Sequence, residues 1–357
     1  MRSPIPGAIL KFFGPDHYSP DQIKTESISE GLINKTFKVS YNTDDMVLLQ
    51  QINKNIFQSP GSVQENYLAI WNYLESNAAG IKIPEPKIAE GKSFAIDENH
   101  NYWRAFEFIN NTRVYSHATT IKHAAETAAC FAAFTLALEG LDPSLLKIVI
   151  PGFHDLTLRY KQFEESLKNG SAERKNIAGE ITDELIKRNH YQSFYEEIVK
   201  SDKYPLRIMH HDAKIQNILF DKSSGRVICP VDLDTTMPGY FFSDPGDMIR
   251  SMAASADENC TDPSRIEIRK DFYEAIISGY LQVMGNHLTE DEKKNIHYAG
   301  LLIIYMQSIR FITDYLLSDP YYKINYPQQN FDRARNQLKL LQHLEELLKT
   351  DYGFMIE

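Results

Sequence analysis

Three cysteines in 357 residues, Cys130, Cys229 and Cys260, are too few and too scattered for a disulfide framework, and their spacing matches no metal site. Free thiols, buried or half-buried in a reducing compartment, are expected instead. Positive charge is also short. The 38 Lys and Arg residues against 48 Asp and Glu leave a formal net charge of −10. That balance argues against a dedicated nucleic-acid or anionic-membrane surface. A polyanionic ligand would need a metal ion and a few well-placed cations. The opening MRSPIPGAILKFFG holds no apolar run long enough for a signal peptide, and no stretch reaches membrane-spanning length. A cytoplasmic protein is therefore expected. There is no internal repeat and no low-complexity tract. Apolar residues are plentiful at 43%, enough to bury a sizeable core in one large or two ordinary domains.

In chain order, a short helix is expected over residues 5–13, then a β-rich region. Residues 35–41 alternate as a strand and residues 46–52 form a second, with turn chemistry between them. Gly31 marks a turn where a phosphate-covering loop would sit, but a single glycine is a poor match to G-x-G-x-x-G. A helix over 62–76 takes Ser62 as its N-cap and Glu65 in its first turn. Strands follow over 87–89, 93–96 and 102–109. The last, YWRAFEFI, runs into Asn110-Asn111-Thr112, and we place a boundary there: a β-rich lobe over 1–109 and a helical lobe over 110–357. Helices are expected over 117–139, 154–168 and 178–200, then over 264–285, 289–317 and 327–349. Between these two sets lie short strands at 207–209, 218–220 and 227–233, and a Pro/Gly/aromatic loop at 236–247.

Those short strands frame the richest stretch, residues 208–234, IMHHDAKIQNILFDKSSGRVICPVDLD. His210-x-Asp212 is followed by Asn217 and, in an apolar strand, by Asp232. This is the order of acids in a kinase-type phosphoryl-transfer centre. Asp212, in a turn after a strand, would accept or orient the proton of an attacking hydroxyl. Asn217 and Asp232 offer hard oxygen ligands suited to Mg²⁺. If strand alternation continues, Asp234 points to the same side as Asp232 and would support the metal, contact the substrate or form a turn. We assign it to the substrate. Lys214 lies in reach of a transferring phosphoryl group. A zinc site at His210, His211 and Asp212 is rejected, because no third nitrogen or sulfur ligand has suitable spacing. Asp244 and Asp247, in SDPGDMIR, would cap the next helix, unless Asp247 buttresses the backbone of the catalytic loop.

These residues resemble the aminoglycoside phosphotransferase/choline kinase superfamily. HHDAKIQNILFD, VDLDTTMPGYFFSDPGDMIRS and RFITDYLLSDPYYKINYPQQNFDRARNQLKLL resemble in particular the N-acetylhexosamine 1-kinases, as do EGLINKTFKV, LLQQINKNIF and YWRAFEFI. The resemblance covers nearly the whole chain. It implies an α+β, bilobal protein-kinase-like fold, with a small β-rich N-lobe and a larger, mainly helical C-lobe. It also implies ATP as cosubstrate, Mg²⁺ as cofactor, and transfer to the anomeric hydroxyl of GlcNAc or GalNAc. By the same resemblance Asp212 is the base, Asn217 and Asp232 hold magnesium, and Arg310 and Tyr321 bind the sugar. Asn34, Gln50, Lys214 and the connector residues Glu107 and Ile109 are assigned to the nucleotide.

Read from the residues alone, Arg310 lies off the apolar stripe of its helix, beside Gln307 and Asp314, and an ordinary i,i+4 pair with Asp314 is the plain alternative. The sequence departs from the sugar kinases at Leu32, Gln51, His211, Ala213 and Gln216, positions that bear on the identity of the sugar more than on phosphoryl transfer. No D-F-G…A-P-E segment is present, which argues against a protein kinase. Two alternatives stand: another small-molecule kinase acting on a different sugar, an aminoglycoside or an amino alcohol, and a catalytically silent nucleotide- or sugar-binding module.

Overall fold

The computed structural model describes residues 4–15, 23–28, 33–42, 45–78 and 80–356. Glu30, Gly31 and Leu32, the expected phosphate-covering turn, lie outside the described residues. In chain order the elements are α1 (Gly7–Phe13), β1 (Lys24–Ile28), β2 (Lys35–Ser40), β3 (Met46–Gln51), α2 (Pro60–Ser76), β4 (Ala95–Ile96), β5 (Tyr102–Glu107) and β6 (Thr112–Arg113). Then follow α3 (Ile121–Ala137), α4 (Leu156–Asn169), α5 (Ala172–Ile186), α6 (His190–Lys200), β7 (Arg207–Met209), β8 (Ile218–Asp221), β9 (Val227–Pro230) and β10 (Met237–Gly239). Five helices complete the order: α7 (Ser243–Met248), α8 (Lys270–Met284), α9 (Glu290–Lys294), α10 (Tyr298–Leu316) and α11 (Gln329–Tyr352).

The chain forms two compact units. The first comprises Met1–Arg113, Ala137–Pro151 and Leu219–Met237; the second comprises Val114–Leu136, Gly152–Ile218 and Pro238–Glu357. The expected boundary at 109/110 lies close to the end of the first segment, but two later segments also belong to the first unit. Asn66 of α2 shows how they are held. Its amide donates to the carbonyls of Lys147 (2.8 Å) and Thr236 (3.1 Å) and its oxygen accepts from the Lys147 N–H (2.7 Å). One buried side chain thereby satisfies backbone groups of both returning segments.

The first unit is built on a five-stranded sheet of order β1-β2-β3-β5-β4, antiparallel at every pairing. Side chains alternate across a strand. Phe37 and Val39, Val47 and Leu49, and Trp103 and Ala105 therefore share one face, and they form a core with Ile5, Ile9, Leu10 and Phe13 of the α1 region. Thr36, Gln50, Arg104 and Phe106 alternate with these residues. Tyr67 of α2 packs its ring 4.6 Å from that of Phe106. The helix α2 starts at Pro60, two residues before the expected cap. Proline's fixed φ suits the first helical position, and the Ser62 hydroxyl pairs with that of Ser59 (2.9 Å) instead of capping. Of the strands expected at 87–96, only Ala95–Ile96 is continuous, while Ala89 and Lys92 form an isolated bridge.

The second unit is organised on α10. Sixteen of its 19 residues are buried, Leu301, Tyr305, Ile309, Ile312 and Leu316 of the expected stripe among them. It packs against α4, α5, α7 and α11. The contact with α7 is close enough to require glycine, since a Cβ on Gly246 would stand 2.3 Å from the Ala299 carbonyl oxygen. Two expected long helices are each divided. Residues 178–200 contain the end of α5 and all of α6. Ile181 and Leu185 keep helical phase, but the next buried apolar residue, Tyr191, is six positions on and falls out of it. Residues 289–317 contain α9 and α10. α9 has its own capping box at Thr289 and Glu292, and Glu292 is buried in an ion pair with Arg207 (2.7 Å). None of the three cysteines is in a disulfide; Cys130 and Cys229 are buried and Cys260 half-buried. Among the described residues no helix is long and apolar enough to cross a membrane.

Candidate active site

The loop after β7 carries Asp212. Its backbone is strained at His211, whose φ of 64° is left-handed. Asp244, in the first turn of α7, holds it there. One carboxylate oxygen accepts from the His210 N–H (3.0 Å) and the other from the His211 N–H (2.8 Å). Asp244 thus buttresses the loop rather than only capping its helix, and Asp247, the residue expected in that role, pairs with Arg250 (2.9 Å). Burial pushes the Asp244 carboxyl up to about 7, despite the two N–H donors that lower it. His210 is buried edge-on against Phe131, with ring centroids 5.0 Å apart. It shapes the loop by packing.

Lys214 and Asn217 hold Asp212 within the second unit. Its Oδ2 accepts from Lys214 Nζ (2.9 Å) and Asn217 Nδ2 (2.9 Å), and Asn217 Nδ2 also donates to the Asp212 carbonyl (2.8 Å). Burial would raise its pKa, but the Lys214 ammonium, His210 and the Asn217 amide outweigh burial and hold the carboxyl below its ordinary range. It is an anion at neutral pH, able to accept a hydrogen bond from a hydroxyl. Lys214, assigned to the nucleotide, reaches Asp212 here. Both Asn217 bonds use its NH₂, which leaves the harder carbonyl oxygen outside them and suited to a cation such as Mg²⁺. Among the described residues no group of three His, Cys, Asp or Glu side chains is gathered for a metal.

In the first unit, Asp232 does not stand in a strand. β9 ends at Pro230, Asp232 is left-handed (φ 60°, ψ 53°), and Leu233–Thr235 form a 3₁₀ turn. The strand alternation expected to align Asp234 with Asp232 is therefore lost. Asp234 is instead buried, in an ion pair with Arg104 and accepting from Asn34 Nδ2 (2.7 Å). Gln50, directly across from Arg104 in the sheet register, accepts from its Nε (3.1 Å) and Nη2 (2.9 Å). The structure thus gathers Asn34, Gln50 and Asp234 into one buried polar network around Arg104. Sequence reasoning missed Arg104. The available signal was an arginine in the middle of the mostly apolar strand YWRAFEFI. At the connector, the Glu107 N–H donates to the Glu85 carbonyl (2.8 Å), and the Ile109 carbonyl accepts from the Thr112 hydroxyl (2.9 Å).

Arg310 and Tyr321 meet in the second unit. The Arg310 guanidinium carbon lies 5.6 Å from the Phe153 ring centroid, 5.9 Å from Tyr321 and 5.6 Å from Tyr322, within cation–π range of all three. Arg310, Tyr321 and Tyr322 border a cleft of about 380 Å³. Asp314 is turned to the chain beyond α10, accepting from the N–H groups of Tyr321 (2.9 Å) and Tyr322 (2.9 Å) and from Asn330 Nδ2 (2.9 Å). From Arg310 a chain of ring contacts runs to the loop that carries Asp212. Phe153 stacks on His154 at 4.7 Å, and His154 Nδ1 lies 3.3 Å from His211 Nδ1, next to Asp212. Burial, then His211 and Arg310, press the His154 pKa well below its ordinary value, so that ring is neutral. His154 and Phe153 gave no sequence signal, because their role is set by contacts distant in the chain.

The fold recurs in solved structures. A microcompartment-associated aminopropanol kinase matches with a TM-score of 0.65 at 14% identity, over 96% of this chain and 97% of that one. An aminoglycoside phosphotransferase from Alicyclobacillus acidocaldarius subsp. acidocaldarius DSM 446 matches with a TM-score of 0.62 at 11% identity, over 98% of both chains. A spectinomycin phosphotransferase, solved in complex with ADP and spectinomycin, matches with a TM-score of 0.56 at 16% identity, over 96% of this chain and 98% of that one. At such identities the likeness is one of fold: α+β and protein-kinase-like, with an N-terminal antiparallel sheet and a mainly helical C-terminal region. The model of the phosphotransferase enzyme family matches residues 24–285, a stretch that includes Asp212, Asn217 and Asp232 and ends before Arg310. The chain therefore belongs to the phosphotransferase enzyme family and is a phosphotransferase.

Proposed function

We propose that the protein transfers the γ-phosphoryl group of ATP to the anomeric hydroxyl of an N-acetylhexosamine, GlcNAc or GalNAc. The observation that carries the reaction is the state of Asp212: an ionised carboxylate fixed by Lys214 and Asn217 on a loop braced by Asp244. Such a group orients the sugar hydroxyl and takes its proton as the oxygen meets phosphorus. Asn217 and Asp232 are the proposed magnesium ligands, from their types and their order in the motif. Bound magnesium supplies charge neutralisation on the nucleotide phosphates. Asn34, Gln50, Lys214, Glu107 and Ile109 remain the proposed nucleotide residues, Asn34 and Gln50 acting through the network around Arg104. The ADP in the spectinomycin phosphotransferase supports an adenine nucleotide. Arg310 and Tyr321 are the proposed sugar residues, supported by their meeting at one cleft and by the contacts that link Arg310 through Phe153 and His154 to His211. Asp234, with both oxygens engaged, is proposed to fix its loop rather than to touch the sugar.

A second reading is favoured by the aminopropanol kinase and the aminoglycoside phosphotransferases of the same fold: a kinase acting on a cationic amino alcohol or aminoglycoside. The arginine in the cleft opposes it, since a guanidinium repels an ammonium. ADP release with Mg²⁺-ATP and a panel of GlcNAc, GalNAc, aminopropanol, choline and aminoglycosides decides between them. Turnover with the N-acetylhexosamines, lost by roughly 10²- to 10⁴-fold in Asp212→Ala with ATP binding retained, is the expected result. Turnover confined to the amines would refute the sugar. Undiminished turnover in the variant would refute the mechanism.

A further inference from the structure

The cleft beside Arg310 contains a second arginine. Arg159, in the first turn of α4, lines the same space, and among the described residues the two guanidiniums hydrogen-bond only to neutral groups. Arg159 Nη1 donates to Gln162 Oε1 (3.1 Å), and Arg310 Nη1 donates to Gln307 Oε1 (3.3 Å). Arg159 Nε is shielded from solvent and has no hydrogen-bond acceptor among the described residues. A carboxylate could balance these charges, but the candidates are engaged or remote. Both oxygens of Asp314 take the N–H groups of Tyr321 and Tyr322. Asp155 caps α4 through the Leu158 N–H (3.0 Å). Glu165 is exposed at the rim.

A half-buried cation with an unused donor, next to another cation, is unfavourable in the empty protein. Burial, and after it the charge of Arg310, hold the Arg159 pKa below its ordinary value. The same arrangement becomes favourable when an anion enters, because two guanidinium forks then face one charge of opposite sign.

We propose that the acceptor of this cleft carries an anionic group, a carboxylate or a sulfate or phosphate ester, bound by Arg159 together with Arg310. This rests on reading the cleft as the acceptor site and sharpens the substrate class: an acidic amino sugar in preference to a neutral one. Arg159 discriminates by charge. Tyr321 and Tyr322 flank Arg310 and would cover the ring.

Calorimetric titration tests this independently of turnover. The probes are N-acetylglucosamine, its 6-sulfate, and N-acetylmuramic acid, which are neutral, anionic at C6 and anionic at C3. At least one anionic probe is expected to bind at least about tenfold more tightly than the neutral sugar, the gain of one charge-assisted hydrogen bond. That preference should collapse to within about twofold in Arg159→Gln and survive in large part in Arg159→Lys, which keeps the charge. In the wild-type protein, raising ionic strength from about 0.05 to about 0.5 M should weaken the anionic probe and leave the neutral one nearly unchanged. Equal binding of all three probes overturns the inference, as does a preference that persists in Arg159→Gln. Preferred binding of an anionic probe without phosphorylation of any of the three would uphold the inference while refuting the kinase reading. Phosphorylation of the neutral sugar without anionic preference would do the reverse.

Discussion

Asp244 offers the sharpest test of how the catalytic loop is held. Replacing it with Asn keeps the shape and one carbonyl oxygen, but turns an NH₂ toward one of the two N–H groups of His210 and His211. One charge-assisted bond is lost and a buried donor is left unpaired, a cost of about 1–3 kcal/mol. The pH dependence separates this from generic damage. The wild-type carboxyl is raised from 3.8 to about 7 by burial. A group whose folded pKa is raised favours the folded state at low pH, and that contribution is lost as pH climbs through the folded value. The full shift corresponds to about 4 kcal/mol. Asn cannot titrate, so the stability deficit of Asp244→Asn should be large near pH 5 and should shrink by about 2 kcal/mol or more as pH rises to about 8. Urea denaturation of both proteins at several pH values measures this. Turnover of the variant at neutral pH should fall at least about tenfold, because the left-handed turn at His211 places Asp212. A deficit that does not change with pH, or a variant with wild-type turnover, would show that Asp244 does not govern the loop as its contacts imply.

Arg104→Met should destabilise the protein by about 3–5 kcal/mol, because Asp234 is left as an uncompensated buried charge. Adding Asp234→Asn should recover part of the loss, and chemical denaturation of the single and double variants checks both. Gly246→Ala should cost about 1–3 kcal/mol and lower the melting temperature, since its methyl group has no room beside the Ala299 carbonyl. Arg310→Ala should raise the KM for the acceptor about tenfold while that for ATP stays within about twofold, the loss expected for a binding contact made equally in ground and transition states. An effect confined to ATP would remove Arg310 from the acceptor site.

Local chemistry was legible in the sequence. Asp212 and Asn217 are five residues apart, and the bonds between them are short-range, so a linear motif sufficed to pair them. The strands β2, β3 and β5 and the buried stripe of α10 follow from period-2 and period-3.6 apolar patterns, which a single strand or helix displays without its neighbours, whereas β1, KTESI, has no such alternation and was not expected. Helix ends were less legible. Pro60 displaced Ser62 as the start of α2, and breaks near 187–189 and 295–297 left the surrounding apolar content almost unchanged.

The tertiary structure decided what depends on residues far apart in the chain. Asp232 and Asp234 are two residues apart, and a 3₁₀ turn after β9 gives them different surroundings that no alternation rule anticipates. Arg104 became the centre of a network because β5 sets it across from Gln50 and the chain returns Asp234 to it 130 positions later. Asp244 and His211 meet across 33 positions. The sequence by itself determined the reaction class, because phosphoryl transfer needs a compact set of acids whose order is linear. Only the tertiary structure determined which charges line the cleft beside Arg310. A cleft is a sum of side chains from separate helices, here α4, α10 and the segment after it, and their net charge exists only once those helices pack.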